Sequence, residues 1–516
     1  MKFTKQHDLI ALTLLFLGML VLWTLPLQSS VAPYGEVDAA SHYAIAEFSY
    51  AQDRAMSSLP TFIDKRYGGD NKYKPHTLWY PPPFHMGLAV GSVVGGSADV
   101  PIYIMNSLFG SLIVLSVFFL LRRLYGLPIA FASALLLLFS MRDILITIWG
   151  QWPERMGFAY LPLVLYCAYL YIESFLAKQE KPRYLVLMSL LLAVNLFIHP
   201  MDFFHTIAAL GLFTIFVVVK ERKWCFNTKH LSLVILLFVL VVSVFPTQTL
   251  NVFARLGSDS SLDQPGKGEV GRLFHWFSPQ GDNNGVPASY YSYSEMIAPS
   301  WTMAFVWLGV LALGLRRNRK DLLLLAWLVS LYVMIHLDFL GMGRVHRSLS
   351  GTAHIFYPLM VIGVWQLISF IPLKRDVKPL AKLGGVVLFT VVMLFSIVPG
   401  AVGTLKDAYP GISRVNEDQI TLTRYLKASS SVPEDATLLH LGSISLAKTR
   451  WIRTMGHRYV KDKGELSDYS YVIFDYSDFA RIGRQDLVDG MLQLEQSLAN
   501  SSTVLYSSSN IRVHKT

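Results

Sequence analysis

Residues 102–123 read IYIMNSLFGSLIVLSVFFLLRR. The run Ile102–Leu121 carries no charge and closes on Arg122 and Arg123. About 20 helical residues cross a hydrocarbon core of roughly 30 Å. Inside that core only a helix or a closed barrel satisfies its own backbone polar groups. The arginine pair marks the cytoplasmic end, because cytoplasmic loops are enriched in Lys and Arg. This one segment therefore states both a fold class and a direction, and the rest of the chain repeats its pattern.

Upstream, Lys2 and Lys5 place the N-terminus inside, and Leu9–Leu27 exits. MKFTKQHD before an apolar run also resembles the start of a signal peptide. The length of the run, and the lack of a small-residue cleavage site before Val31–Pro33, favour a signal anchor that stays as the first span. Downstream of Ile102–Leu121 the expected spans are Leu127–Ile146, Phe158–Leu176, Tyr184–Ile198, Phe203–Val219, Leu231–Thr249, Trp301–Leu315, Leu322–His336, Thr352–Ile371 and Leu383–Gly403. Every second loop is short and basic, from Lys178, Lys181 and Arg183 through Arg316, Arg317, Arg319 and Lys320 to Lys374, Arg375, Lys378 and Lys382. The pattern predicts a polytopic α-helical membrane protein of about eleven spans, with a cytoplasmic N-terminus and a multi-pass place in the cell membrane.

Composition agrees. The chain of 516 residues is 53% hydrophobic and 16% charged, against about 25% charged in a soluble domain, and its mean hydropathy is +0.41. The net charge of +10 lies in the inner loops, which points to membrane topology and excludes a nucleic-acid partner. Cys167 and Cys225 are the only cysteines, one in an apolar run and one in a basic loop. No disulfide framework or cysteine metal site is expected.

Two outer segments interrupt the spans, residues 29–100 and 250–300. Phe84–Gly95, within the first, is short for a span and is expected at the interface. No internal repeat is evident, which argues against a transporter built from duplicated halves. Residues 1–403 are read as the membrane domain and 404–516 as an extracytoplasmic α/β domain. In the latter Asn416–Ala428 and Asp486–Ala499 read as helices, Ala436–Leu441 and Tyr471–Phe474 as strands, and Thr503–Tyr506 with Asn510–His514 as a terminal hairpin.

Ionisable residues gather at the outer ends of spans. Glu36 and Asp38 follow the first span, and His42 lies four residues beyond Asp38. A helix starting there lets Asp38 cap it and places His42 one turn down the same face. Such a set can bind a divalent cation or act as acid and base; solvated acids at a plain N-cap are the equal alternative. Trp149, Trp152, Glu154 and Arg155 form a second cluster, the tryptophans fitting an interfacial belt. Arg142 and Asp143 precede it and are expected to form a buried ion pair, costly in a membrane and so a pointer to function. A third group is His199, Asp202 and His205, which can ligate a metal or cap a helix. Tyr290–Trp301, with Glu295, closes the second outer loop. Arg344 and Arg347 face outward against the positive-inside trend, and suit a phosphate or pyrophosphate clamp better than simple snorkelling.

Taken in order, these segments resemble the C-type glycosyltransferases (GT-C), and among them the catalytic subunit of oligosaccharyltransferase. Asp38-Ala-Ala-Ser-His42-Tyr43, followed by Tyr80-Pro81, is similar to the family's acidic motif after the first span. Ser140-Met141-Arg142 leading to Gly150-Gln151-Trp152-Pro153-Glu154 occupies the place of its second motif, with Trp152 where the family has Asp. Ser292-Tyr293-Ser294-Glu295 resembles its Ser-Val-Ser-Glu, and Arg347 with Pro358 its arginine before a late span. The C-terminal domain departs: His440-Leu441-Gly442-Ser443 stands at the strand end comparable to the family's sequon-reading Trp-Trp-Asp-Tyr-Gly.

The resemblance implies transfer of a sugar or oligosaccharide from a polyprenyl-phosphate-type lipid to a protein or glycan acceptor on the outer face. It implies Asp38 as the leading acid, joined by Glu154 and Glu36, and Arg344 or Arg347 on the donor phosphate. Glu295 would position the acceptor. A divalent cation, Mg or Mn, would be held by Asp38, Glu154 and His42. Two other readings stay open: a transporter or flippase for a lipid-linked or anionic substrate, and a non-catalytic scaffold of the same fold.

Overall fold

Helices occupy all eleven segments expected to span the membrane. The structure is a computed structural model, and it describes residues 4–29, 33–51, 82–246, 249–250, 292–336, 349–408, 415–498 and 500–516. Six of its helical stretches are long and apolar enough to cross a bilayer, and the bent pair Leu127–Leu138 and Met141–Trp149 makes a seventh. That pair breaks by 41°, where Ser140 Oγ accepts the Asp143 N–H at 3.4 Å and starts the second half as an N-cap would. Other expected spans form shorter apolar helices, Arg183–Ile198, Thr228–Val242 and Ser300–Arg316. Leu322–His336 lies in the helix Arg319–His336, which opens on Arg319, Lys320 and Asp321. Phe84–Gly95 falls in the apolar helix Pro83–Gly95.

The chain divides into two compact units: Met1–Trp23, Ser107–Ile146 and Pro153–Gly403 in the first, Thr24–Asn106, Thr147–Trp152 and Thr404–Thr516 in the second.

In the first unit the basic loops meet at one end of the helices. Arg122 pairs with Asp8 at 2.5 Å, Arg319 bridges Glu173 and Glu221, and Tyr125 donates to Asp321 at 2.8 Å. Acids from neighbouring helix ends thus neutralise these basic loops. Near the middle of the unit the helices Met303–Arg316 and Thr352–Phe370 touch backbone to backbone. A Cβ on Gly309 would lie 2.2 Å from Leu359 O, and one on Gly363 would lie 2.0 Å from Phe305 O. Small residues that let helices approach this closely are the usual device of membrane packing, where the hydrophobic effect gives no preference for helix over lipid. Tyr357 donates to Ile297 O at 2.7 Å and Arg316 to Gln366 at 3.4 Å, so the two helices run in the same direction.

In the second unit a five-stranded sheet has the order β2-β1-β3-β5-β4, with β1 Thr437–Leu441, β2 Tyr459–Lys461, β3 Tyr471–Asp475, β4 Thr503–Ser507 and β5 Ile511–Lys515. β1, β2 and β3 are parallel, and β4 and β5 form the expected antiparallel hairpin. Side chains alternate across the sheet with period two. Leu438 and Ile473 face a core shared with Leu422, Leu426 and Ile452, whereas Leu439, Val472 and Phe474 face Met491 and Leu492. The helix Glu417–Ala428 opens on a capping box between Asn416 and Gln419, a reciprocal pair that satisfies two N–H groups the helix cannot. The helix Leu446–Gly456 and strand β2 are additions to the expected elements.

Candidate functional site

The acid segment is built by two glycines. Gly35 has φ +116° and Gly150 φ +88°, a region that L side chains avoid. A Cβ at Gly150 would lie 2.0 Å from the Ala39 nitrogen, so only glycine lets the Gly150–Trp152 turn lie against the start of the Asp38 helix. Glu36 N–H donates to Ile148 O at 2.9 Å. The first motif and the Gly150–Trp152 part of the second are thereby brought side by side within the second unit.

The helix runs Val37–Ala51. Asp38 lies inside its first turn rather than at the cap, where the exposed N–H groups still favour a carboxylate. Glu36 and Asp38 are half-buried. His42 is buried, and its Nδ1 lies 2.8 Å from His85 Nε2 with the rings stacked 5.0 Å apart. Trp152 is buried too. Its Nε1–H donates to Thr147 O at 2.9 Å, and its ring packs on Tyr103 at 5.5 Å and His42 at 6.3 Å. The belt expected of Trp149 and Trp152 therefore fails for Trp152, which is core to this site. Tyr43 donates to Asp99 at 2.6 Å. Burial, with Glu47 and Asp99 close by, pushes its hydroxyl well above the ordinary range and keeps that proton in place.

The first unit holds a second polar cluster. Asp143 meets His354 Nε2 at 3.0 Å and Arg155 Nε at 3.7 Å, and Arg142 donates to Leu349 O at 3.3 Å. Asp143 thus finds its cation twelve residues on rather than in adjacent Arg142, as helix geometry requires: neighbours in sequence do not share a face. The Arg155 guanidinium lies 3.2 Å over the Trp23 ring. Glu154 is buried and accepts from Ser350 Oγ at 2.5 Å. His199 Nδ1 lies 3.0 Å from Asp202, His205 Nδ1 lies 3.8 Å from Asp202, and Phe158 stacks on His205. Glu295 is exposed on the short helix Tyr293–Met296, beside buried Tyr293, which shares a hydrogen bond of 2.6 Å with Thr302. Arg344 and Arg347 lie outside the described residues, as does Tyr80-Pro81.

Among the described residues no three His, Cys, Asp or Glu side chains converge to hold an ion. His42 is engaged with His85, and Glu154 with Ser350. The reading of the sequence also missed His85 and His354. Each is a lone ionisable residue in an apolar run, which is the one signal that could have flagged it.

The sequence profile of a family of unknown function, DUF6541, matches residues 4–352. The chain belongs to this family. DUF6541 covers both motif clusters, Glu36–His42 and Arg142–Arg155, together with the helices that carry them. Comparison with curated proteins finds no match in sequence. Solved structures do match in fold. ArnT from Cupriavidus metallidurans bound to undecaprenyl phosphate aligns with TM-score 0.59 at 12% identity, over 98% of this chain and 97% of that one. The archaeal oligosaccharyltransferase AglB from Archaeoglobus fulgidus, in complex with an inhibitory peptide and a dolichol-phosphate, aligns with TM-score 0.55 at 13% identity, over 91% and 69%. The A. fulgidus oligosaccharyltransferase in complex with Zn and sulfate gives 0.52 at 11%, over 90% and 68%. This DUF6541 protein shares the fold of these structures, that of a polytopic membrane protein with a small C-terminal sheet.

Proposed function

We propose that this chain is a membrane glycosyltransferase that moves a sugar from a polyprenyl-phosphate-type lipid to a protein or glycan acceptor on the outer face. The observation that carries the reading is the fold match: two proteins of this fold were solved with polyprenyl phosphates, undecaprenyl phosphate in one and dolichol-phosphate in the other. The acidic motif supports it, since the Asp38 helix and the Gly150–Trp152 turn lie together in the second unit. In this reading Asp38 takes the proton of the attacking acceptor group as its oxygen or nitrogen bonds to the anomeric carbon. The bond from that carbon to the phosphate oxygen breaks, and the lipid phosphate leaves. Glu36 and Glu154 are the supporting acids, Arg344 and Arg347 hold the phosphate by charge-assisted bonds, and Glu295 positions the acceptor.

Asp38→Asn decides the matter. Asn keeps the size of Asp but cannot take a proton. Transfer of radiolabelled sugar by protein reconstituted with polyprenyl-phosphate-linked donors should fall by at least about a hundred-fold, the low end for a positioned acid or base. Folding and membrane insertion should be unchanged. Normal transfer by Asp38→Asn would remove Asp38 from the reaction, and absence of transfer by the unmutated protein from any such donor would favour the transporter or scaffold reading.

The orientation belongs to the same proposal: N-terminus in the cytoplasm, C-terminal sheet outside. A membrane-impermeant thiol reagent on intact cells should label a cysteine placed at Ser508 and miss one at Lys178. The opposite pattern would put the acids on the wrong face.

A further inference from the structure

We propose that Trp451 is a positioning residue for Asp38, through which the helix Leu446–Gly456 sets the start of the acid helix. The inference rests on the reading of Asp38 as the reacting acid. Trp451 lies in the helix Leu446–Gly456 and is fully buried. Its Nε1–H donates to Gly35 O at 2.8 Å. The other polar group of that same peptide unit, Glu36 N–H, donates to Ile148 O at 2.9 Å. The Gly35–Glu36 peptide is thus gripped at both ends, and its plane cannot turn without breaking one bond. Asp38 follows two residues later.

The ring of Trp451 also stands edge-on to Tyr43, at 5.4 Å and 66°, and Tyr43 is itself tied to Asp99. Farther along the acid helix the C-terminal segment of the same unit makes further contacts. Arg450 Nη1 reaches Ser41 Oγ at 3.4 Å, and Lys427 and His457 meet buried Glu47 at 3.3 and 3.0 Å. These bonds all lie within the second compact unit. The long lysine contact and the half-open Arg450 contact are adjustable, whereas the indole has one N–H and no freedom to redirect it. Of these contacts, the indole is the one made to the peptide just before Asp38. A misplacement of about 1 Å at a reacting group costs about a hundred-fold in rate.

The test uses the full-length protein in liposomes with a polyprenyl-phosphate-linked sugar. Trp451→Phe keeps an aromatic ring against Tyr43 and removes the donor. Its kcat should fall about ten-fold or more while KM for the donor stays within about two-fold, the split expected when geometry in the transition state, not ground-state binding, is lost. Trp451→His, which retains an N–H donor, should recover part of the loss. In the Asp38→Asn background Trp451→Phe should cost nothing further, because the two act as one unit. A second readout needs no activity. With Asp38→Cys in place, adding Trp451→Phe should change the rate of labelling by a charged maleimide at least about three-fold. A kcat for Trp451→Phe within about two-fold of the unmutated protein overturns the proposal, as does an unchanged labelling rate. If the unmutated protein transfers no sugar, the glycosyltransferase reading falls by itself, and the labelling rates alone decide whether Trp451 sets position 38.

Discussion

Each of the two units buries a His–Asp pair, His354–Asp143 in the first and His440–Asp475 in the second, and these two are almost the same length. In the first unit His354 Nε2 lies 3.0 Å from Asp143, and in the second His440 Nε2 lies 3.1 Å from Asp475. Their surroundings differ. Asp475 ends strand β3 and also accepts from Gln419 Nε2 at 2.6 Å and from Ser477 N at 3.0 Å, while the other nitrogen of His440 meets Thr449 at 3.0 Å. Burial pushes the Asp475 carboxyl up, but bonds from His440, Ser477 and Gln419 outweigh it and hold the group below its usual range. This is a closed polar knot that joins a strand end to two helices. Asp143 instead adds a whole cation, Arg155 at 3.7 Å, in a segment expected to cross the membrane. The same pair of residue types is thus closed by neutral hydrogen-bond partners in one unit and by a further cation in the other. An intramembrane charge of that kind is costly, and such residues usually mark function.

The comparison breaks most sharply at Asp143. Asp143→Ala leaves Arg155 without that counter-charge and should cost about 3–5 kcal/mol, the usual result of removing one member of a buried ion pair. A thermal midpoint in detergent within a degree of the unmutated protein would show that the cluster holds no net charge worth keeping. A smaller effect belongs to the second unit. Lys448 and Asp478 form an ion pair with both side chains fully buried. Lys448→Met should destabilise by about 3 kcal/mol, yet Lys448→Met with Asp478→Leu should recover most of it, because apolar residues of similar volume often replace such a pair without loss. Failure of the double variant to recover would mean that the pair specifies the fold in a way hydrophobic contact cannot.

The smallest effect is on pH dependence. A carboxyl held below its unfolded value of about 3.9 adds stability that is fully present above that value and is lost as pH falls through the lower, folded value. Unfolding followed by tryptophan fluorescence should therefore show acid destabilisation beginning below about pH 4, and Asp475→Asn should flatten that limb. An identical acid limb in both proteins would remove Asp475 from the account.

Much of the fold could be read from the chain because it depends on local periodicity. Apolar runs ending in arginine located the helices, and Asn416–Ala428 read as a helix, whose start the structure closes with a capping box between Asn416 and Gln419. Leu446–Gly456 was not legible, since its buried face includes Lys448, Thr449 and Arg453 as well as Trp451 and Ile452. A helix whose inward side is half polar has no stripe to detect. Strand β2 has only three residues, too few for an alternating pattern. The site was legible in part. The acids Glu36, Asp38 and Glu154 stood out, but the partners of His42, Asp143 and Trp451 lie 43, 211 and 416 residues away in sequence. No pattern within a window can pair residues so distant. Trp152 was read as an interfacial tryptophan because position at a span mouth says nothing of which side of the helix end is covered.

The crossing of Met303–Arg316 with Thr352–Phe370 bears on sequence divergence. At Gly309 and Gly363 the neighbour is a carbonyl oxygen rather than a side chain, so main-chain atoms alone set the separation of these helices. No rotamer contributes to that spacing, and none can spoil it. Flanking positions such as Trp307 and Leu311, both largely exposed on this unit, are free to exchange one apolar residue for another without moving the pair. A framework dimensioned by its backbone can keep its shape while its side chains turn over, which is compatible with a shared fold at 12% identity.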